Sequence, residues 1–432
     1  MLNGVMASSY TRARSSSGSD AVAWRALFWL VAVLLIGLAL YSRRPDALRY
    51  PQFYAESGRV WYQDAYNLGW LRALVHTDGG YFVTLPRLVA ALTLLFPLAQ
   101  APMIFNLCSL AVEAAPALFL LSRRFLALGD LPLRCCLAIL YIAMPNMADA
   151  HGALGLQWHL AMLAFLVLIS GPPQSRAARA FDLTILVLCA LTGPYCILLL
   201  PSAVFISFSR RSIWSYWQFW ILGGGVLLQG FTLLLTGGRQ RTHGQLGASL
   251  RGFCRIVAGQ IVDPVLEGQN RLAHWGHSAQ GVLGATIAVT LLAVCAAVYA
   301  LWRGGLALRS FLIFASMILA SSLLFSLVPV GVPVWTQLAV PGAGARYWMI
   351  PELALMAVMV WMLGSHRPWP VRIFAAALAC SMIVGAVKHW RYSPLPDLDY
   401  GAYAAKFEQL PPGANLTIPL NPPGWSMTLV RH

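Results

Sequence analysis

Apolar stretches recur along the whole 432-residue chain, at 24–41, 101–122, 134–147, 152–170, 181–192, 195–209, 214–236, 282–302, 309–329, 347–364 and 371–389. A helix needs roughly 20 mainly apolar residues to cross a bilayer. The repetition therefore predicts an all-α polytopic membrane protein with about eleven transmembrane helices. Hydrophobic residues make up 59% of the chain and charged ones 10%, which excludes a soluble enzyme and a disordered polar chain. The formal net charge of +15 is then a matter of membrane topology, and no nucleic-acid partner is expected. All basic residues but Lys388 and Lys406 are Arg, a bias that points to a GC-rich bacterial genome.

One more apolar stretch, 82–99, is ambiguous because Pro86 and Arg87 stand near its start. An Arg at the centre of a bilayer costs about 2.5–3.5 kcal/mol on insertion scales. If 82–99 does not cross and the N-terminus lies inside, five short loops face the cytoplasm. They carry Arg123/Arg124/Arg134, Arg176/Arg179, Arg210/Arg211, Arg303/Arg309 and Arg367/Arg372, so each is basic. The alternating loops, around Asn146 to His151, around Gly193 and around Val330 to Ala345, hold no Lys or Arg, as the positive-inside rule requires. The expectation is a helix at 82–99 that lies in the outer interface or re-enters, a cytoplasmic N-terminus and an outward C-terminus. The setting is a bacterial inner membrane.

This parity places Asp20, Asp130 and Asp182 inside, Glu113 alone within a span, and the other carboxylates on or near the outer face. Residues 1–23, Ser-rich and bearing Arg, are expected to be disordered. The transmembrane domain is 24–389, with a first outer loop at 42–100 and a second at 237–281. The outward tail, 390–432, is rich in Pro and holds a helix-like piece around Tyr400 to Leu410 and a strand-like Asn415-Leu-Thr-Ile-Pro-Leu. About forty residues rarely hold a core alone, so the tail is expected to fold against the membrane domain as a lid or plug.

The first outer loop is dense in aromatics and acids, reading Tyr50-Pro-Gln-Phe-Tyr-Ala-Glu56-Ser57-Gly-Arg59 and on through Trp61 and Asp64. On an α-helix Glu56 and Arg59 are spaced to pair. Glu56 and Asp64 differ by about two turns and could line one cavity. Asp149, with His151 in a very short loop, is a second candidate carboxylate, for catalysis or for capping a helix. Arg346, beside Tyr347 in Gly342-Ala-Gly-Ala-Arg346-Tyr347-Trp348, stands at the mouth of a span where a guanidinium fork can reach a lipid phosphate or simply snorkel. The second loop adds Arg239, Arg241, His243, Arg251, Arg255, Asp263, Glu267, Arg271, His274 and His277, positive enough to attract an anionic headgroup. His274 and His277 have metal-ligand spacing, but no carboxylate or Cys completes a set, so no metal site and no divalent-metal requirement is assigned.

The order of parts resembles the GT-C superfamily of integral-membrane glycosyltransferases. It is carried by Ala55-Glu56-Ser57-Gly58 through Asp64-Ala65, Gly80-Tyr81 with Leu85-Pro86-Arg87-Leu88-Val89, Arg346-Tyr347-Trp348, and Ile418-Pro-Leu-Asn421-Pro-Pro-Gly424-Trp425. The resemblance implies a polyprenyl-phosphate sugar as donor, a saccharide or lipid acceptor, membrane lipids as surroundings and no further certain cofactor. It also implies a first-loop carboxylate as base, with Glu56 matching the first of an acidic pair and Ser57 standing in the place of the second. Asp64 and Asp149 are the other candidate acids. Arg346 is the implied contact for the lipid phosphate, and Arg87 and Tyr347 are further candidates for it on their charge and position. Transport of a lipid-linked saccharide and a non-catalytic envelope scaffold are the competing readings.

Overall fold

A computed structural model of the chain describes residues 3–145, 148–237, 245–268, 279–326 and 332–432. Asn146, Arg239, Arg241, His243, Arg271, His274 and His277 lie outside the described residues. The principal helices are α1 (Asn3–Arg43), α2 (Thr84–Thr93), α3 (Ala101–Leu120), α4 (Leu131–Ile142), α5 (Leu156–Ile169), α6 (Arg176–Ala190), α7 (Tyr195–Arg210), α8 (Ile213–Thr232), α9 (Ala279–Arg303), α10 (Leu306–Phe325), α11 (Met349–Met362), α12 (Trp369–Lys388) and α13 (Tyr400–Glu408). Among the described residues, six helical segments are long and apolar enough to cross a membrane: Val22–Arg43, Leu98–Leu120, Ile213–Thr236, Gly281–Arg303, Leu306–Phe325 and Trp369–Lys388. The protein is thus an α-helical membrane protein.

The shorter apolar helices owe their length to their position. In α5, only Gln157 and Ile169 and no other residue fall short of full burial, so this 14-residue helix is apolar and enclosed on all sides. It forms the middle of the bundle, with Trp158, Phe165 and Leu166 in the main core. The outer helices instead turn leucines away from the protein: Leu34, Leu35 and Leu38 of α1 are each at least 60% exposed. A continuous apolar exterior of this kind belongs against lipid. α1 begins at Asn3, so the Ser-rich segment expected to be irregular is helical. Extending a helix that already exists costs far less than nucleating one.

Several loop arginines serve the fold directly. Arg124 binds Asp182 through both guanidinium arms, at 2.5 and 2.7 Å. Arg210 donates to the carbonyls of Leu168 and Ser170 at the end of α5. Asp182, Asp263 and Glu352 are as buried as Glu113, which is therefore not the lone buried acid.

The 82–99 stretch forms α2, ten residues long, so about 15 Å against a hydrocarbon core of about 30 Å. Its approach is tied down at the turn between α6 and α7. Gly193 N donates to Phe82 O at 2.7 Å and Thr84 N to Leu191 O at 3.1 Å. The buried Gln229 side chain of α8 bonds both the N–H and the carbonyl of Phe82.

The tail folds onto the first loop. Its strands β1 (Asn415–Leu420) and β2 (Trp425–Val430) pair antiparallel, with Ile418 opposite Met427. Alternation along the strands sends Ile418, Leu420, Met427 and Leu429 inward, where they join Phe53, Tyr62, Phe105 and Phe407 in one apolar cluster. The first loop closes the edge of β2: Gln63 Oε1 accepts from Thr428 N at 2.6 Å, and Asn67 Oδ1 accepts from Val430 N at 3.1 Å.

Candidate functional site

Glu56 leaves the chain at a strained corner. Ala55 before it has φ +46°, the left-handed region that costs a residue with a Cβ about 1–2 kcal/mol. The tail holds that corner: Ala55 N donates to the carbonyl of the fully buried Asn421 at 2.5 Å, and Asn421 Nδ2 donates to Pro396 O at 2.9 Å. Ser57 closes it from the other side, its hydroxyl donating to Tyr54 O at 2.8 Å and accepting from Tyr54 N at 2.9 Å. Ser57 is therefore a structural residue of the Glu56 corner. Gly58 follows because Leu420 packs on it; a Cβ there would lie 2.7 Å from a Leu420 methyl.

A second carboxylate reaches the site from a hairpin. Asp78 and Tyr81 exchange backbone hydrogen bonds at 3.0 and 3.3 Å across Gly79 (φ +61°) and Gly80 (φ +92°). Two successive positive φ angles make the tight turn that glycine permits, and this turn presents Asp78 beside Glu56. Burial, then the Glu56 charge, pushes the Asp78 carboxyl above its ordinary value.

Glu56, Asp78, Gln157, Arg346 and Tyr347 line one cavity of about 620 Å³. Loop segments and helix ends supply these polar groups. The rest of the wall is mostly apolar, with Ile197 and Leu198 from α7, Met317, Ile318, Leu324 and Phe325 from α10, and Leu233 after α8, and it is interrupted by the hydroxyls of Tyr81, Tyr195, Ser321, Ser322 and Ser326. Glu56 Oε2 and Gln157 Oε1 are buried without a hydrogen-bond partner in the protein. Arg346 stacks on the Tyr347 ring at 5.5 Å, and Trp158 meets the same ring edge-on at 5.8 Å. Burial opposes the Arg346 charge, but Tyr347, Glu56 and Asp149 together hold its guanidinium above the ordinary value. Such a wall offers an anion the Arg346 guanidinium, offers hydroxyl hydrogens the free acceptors of Glu56 and Gln157, and offers a hydrocarbon chain the apolar helix faces.

Of the residues expected from sequence, the structure brings Glu56, Arg346 and Tyr347 to this cavity and leaves three off its wall. Asp64 faces away, accepting from Arg87 at 3.0 Å and contacting His76 at 2.9 Å. An α-helix would set Glu56 and Asp64 two turns apart, whereas Ser57–Tyr62 is a π-turn, whose i→i+5 bonding shifts every later side chain. Arg87 is fully buried and is placed to hold Asp64 rather than a phosphate. Asp149 lines a separate small cavity with Arg44, Tyr54 and His151, although Arg346 still feels its charge. Arg59 does not turn back on Glu56 but lies 5.4 Å from the Trp425 ring. Asp78 is the residue that sequence reasoning missed. The signal available was an acid directly before two glycines and a tyrosine. Among the described residues no cluster of three or more His, Cys, Asp or Glu has metal-holding geometry.

No family model matches the chain, and no curated protein matches it.

Proposed function

We propose that the protein is a membrane glycosyltransferase that moves a sugar from a polyprenyl-phosphate carrier to a saccharide or lipid acceptor. The observation that supports this reading is the meeting of Glu56, Asp78 and Arg346 on one cavity whose wall is otherwise mostly apolar. Arg346 neutralises the departing phosphate with paired N–H donors. Glu56 takes the acceptor hydroxyl proton as that oxygen attacks the anomeric carbon. Asp78, whose carboxyl burial and the Glu56 charge hold above its ordinary value, hydrogen-bonds the sugar from the same wall. The apolar wall receives the first isoprene units. With the basic loops in the cytoplasm of a bacterial inner membrane and eleven crossings, the site opens on the outer face, as does the tail.

The test is sugar transfer by the full chain in nanodiscs supplied with radiolabelled polyprenyl-phosphate sugars and a mixed acceptor pool. Wild type is expected to transfer, and Glu56→Gln to lose on the order of 100-fold or more of that rate. Undiminished transfer by Glu56→Gln and Asp78→Asn together would remove both acids from the chemistry. A carrier moved intact across vesicles by wild type, with no sugar transferred, would replace this reading with transport.

A further inference from the structure

A second cluster of titratable groups lies away from the large cavity, between α3, α4, α5 and the loop before α5. Glu113 of α3 faces His151 Nδ1 at 3.0 Å and accepts from Gly152 N at 3.3 Å. Its other neighbour, His159, has both ring nitrogens engaged. Nδ1 lies 2.5 Å from the Tyr141 hydroxyl and Nε2 lies 3.0 Å from Ala150 O. The carbonyl only accepts, so His159 Nε2 carries a hydrogen and Nδ1 receives one from Tyr141.

His151 differs. In a neutral ring that donates from Nδ1 to a Glu113 oxygen, Nε2 keeps a lone pair. That Nε2 is buried and has no hydrogen-bond partner in the protein. His151 lines a narrow cavity of about 30 Å³ together with Arg44, Tyr54 and Asp149. Arg44 Nε is likewise buried and unpartnered, while its Nη1 donates to Ala148 O at 3.2 Å. An unpaired acceptor and an unpaired donor thus share a space large enough for about one water.

We propose that Glu113, His151 and Arg44 form a proton-accepting site, in which a water takes the Arg44 Nε–H and donates to His151 Nε2, and His151 receives the proton released during transfer. The proposal rests on the glycosyl-transfer reading. Tyr54 joins the two cavities: it lines the narrow one with His151 and Arg44, and it stands two residues before Glu56, which lines the large one. Burial, then Asp149, pushes that phenol above its ordinary value, so it stays a neutral O–H able to donate and accept. The acceptor oxygen bonds the anomeric carbon as its proton passes to Glu56. The sugar–phosphate bond breaks with its electron pair left on the phosphate. The proton then moves from Glu56 through Tyr54 and the water to His151 Nε2. Glu113 balances the imidazolium, against which the Arg43 and Arg44 charges act, while Asp149 assists, the neutral His159 lies beyond Glu113 and the Tyr392 ring lies 5.4 Å away. Glu113 is a positioning residue: it fixes the tautomer and compensates the charge.

The experiment uses the full chain in nanodiscs with ¹⁵N-labelled histidine, His151→Asn assigning the resonance. The expected spectrum of neutral His151 shows a protonated Nδ1 and a bare Nε2; a protonated Nε2 with bare Nδ1 overturns the proposal. In the transfer assay His151→Asn, whose amide still donates to Glu113, is expected to lower kcat on the order of 100-fold with donor KM unchanged. An unchanged kcat overturns it as well. Should that variant not fold, Glu113→Gln, which keeps the hydrogen bond but not the charge, is expected to give the same kcat-against-KM split. If wild type transfers no sugar from any carrier, the functional reading fails by itself, and the tautomer decides for or against the proton site.

Discussion

The contact between Gly58 and Leu420 makes the tail's hold on the Glu56 corner measurable. A Cβ built at Gly58 meets two Leu420 methyls at 2.7 and 3.0 Å and Phe53 Cβ at 2.9 Å, where carbon contacts are comfortable only from about 3.5 Å. Overpacking of this kind costs about 1–3 kcal/mol. Replacing a helical glycine by alanine returns about 0.5–1 kcal/mol, so Gly58→Ala should destabilise the tail by about 0.5–2 kcal/mol. Leu420→Ala alone should cost about 2–5 kcal/mol, because Leu420 is buried and its loss leaves a cavity. In the double variant the new methyl enters that space and only the Phe53 contact persists. The two changes should therefore couple by about 1–2 kcal/mol. Native-state hydrogen exchange at Thr428 N and Val430 N, which Gln63 and Asn67 protect, reads the opening free energy of the hairpin directly. Effects that add to within about 0.5 kcal/mol would show that Leu420 does not seat on Gly58.

Two further variants probe the electrostatics. Asp78 has its carboxyl pushed up from 3.8, so the folded protein holds this proton more tightly than the unfolded chain, and stability falls as pH rises through the raised value. Asp78→Asn should remove that loss, raising the melting temperature at pH 7 more than at pH 4, while transfer falls; equal shifts at both pH values would contradict it. Arg87 is fully enclosed and Asp64 is only 16% exposed, so Arg87→Met should cost about 3 kcal/mol, the low end for a broken buried pair because His76 and solvent still reach Asp64. Adding Asp64→Leu should recover most of that loss in a thermal melt, and a double variant no better than the single would show that the pair is not the cause.

The helices were legible in the sequence because lipid forces a run of apolar residues into hydrogen-bonded helix, whatever its neighbours. The stretches around 156–169 and 349–362 are helical as the hydropathy implies, yet at 14 residues each they are shorter than an independent crossing. Their surroundings are longer helices, information that lies outside the segments themselves. The tail's strand was visible in the alternation of Asn415–Leu420, but its hold on Ala55 was not, because a backbone contact between Ala55 and Asn421 leaves no trace in residue type. At the site, Glu56 and Arg346 could be named from chemistry at loop mouths. Asp64 lies off the cavity wall after a single π-turn, and the placing of Asp78 on that wall depends on the turn at Gly79 and Gly80 rather than on any spacing from Glu56. Glu113 was singled out as a buried acid, whereas its His151 partner, 38 residues further along the chain, became evident only from the packing.

The central claim is that Arg346 receives the phosphate of a lipid carrier in the Glu56–Asp78 cavity. It is tested most directly by the affinity of nanodisc-embedded protein for a polyprenyl monophosphate, wild type against Arg346→Gln, measured by native mass spectrometry. A hydrogen bond to a charged group contributes about 1.5–3 kcal/mol, so the account predicts binding weakened by roughly 10- to 150-fold in the variant. Equal binding of the carrier by both proteins would contradict it.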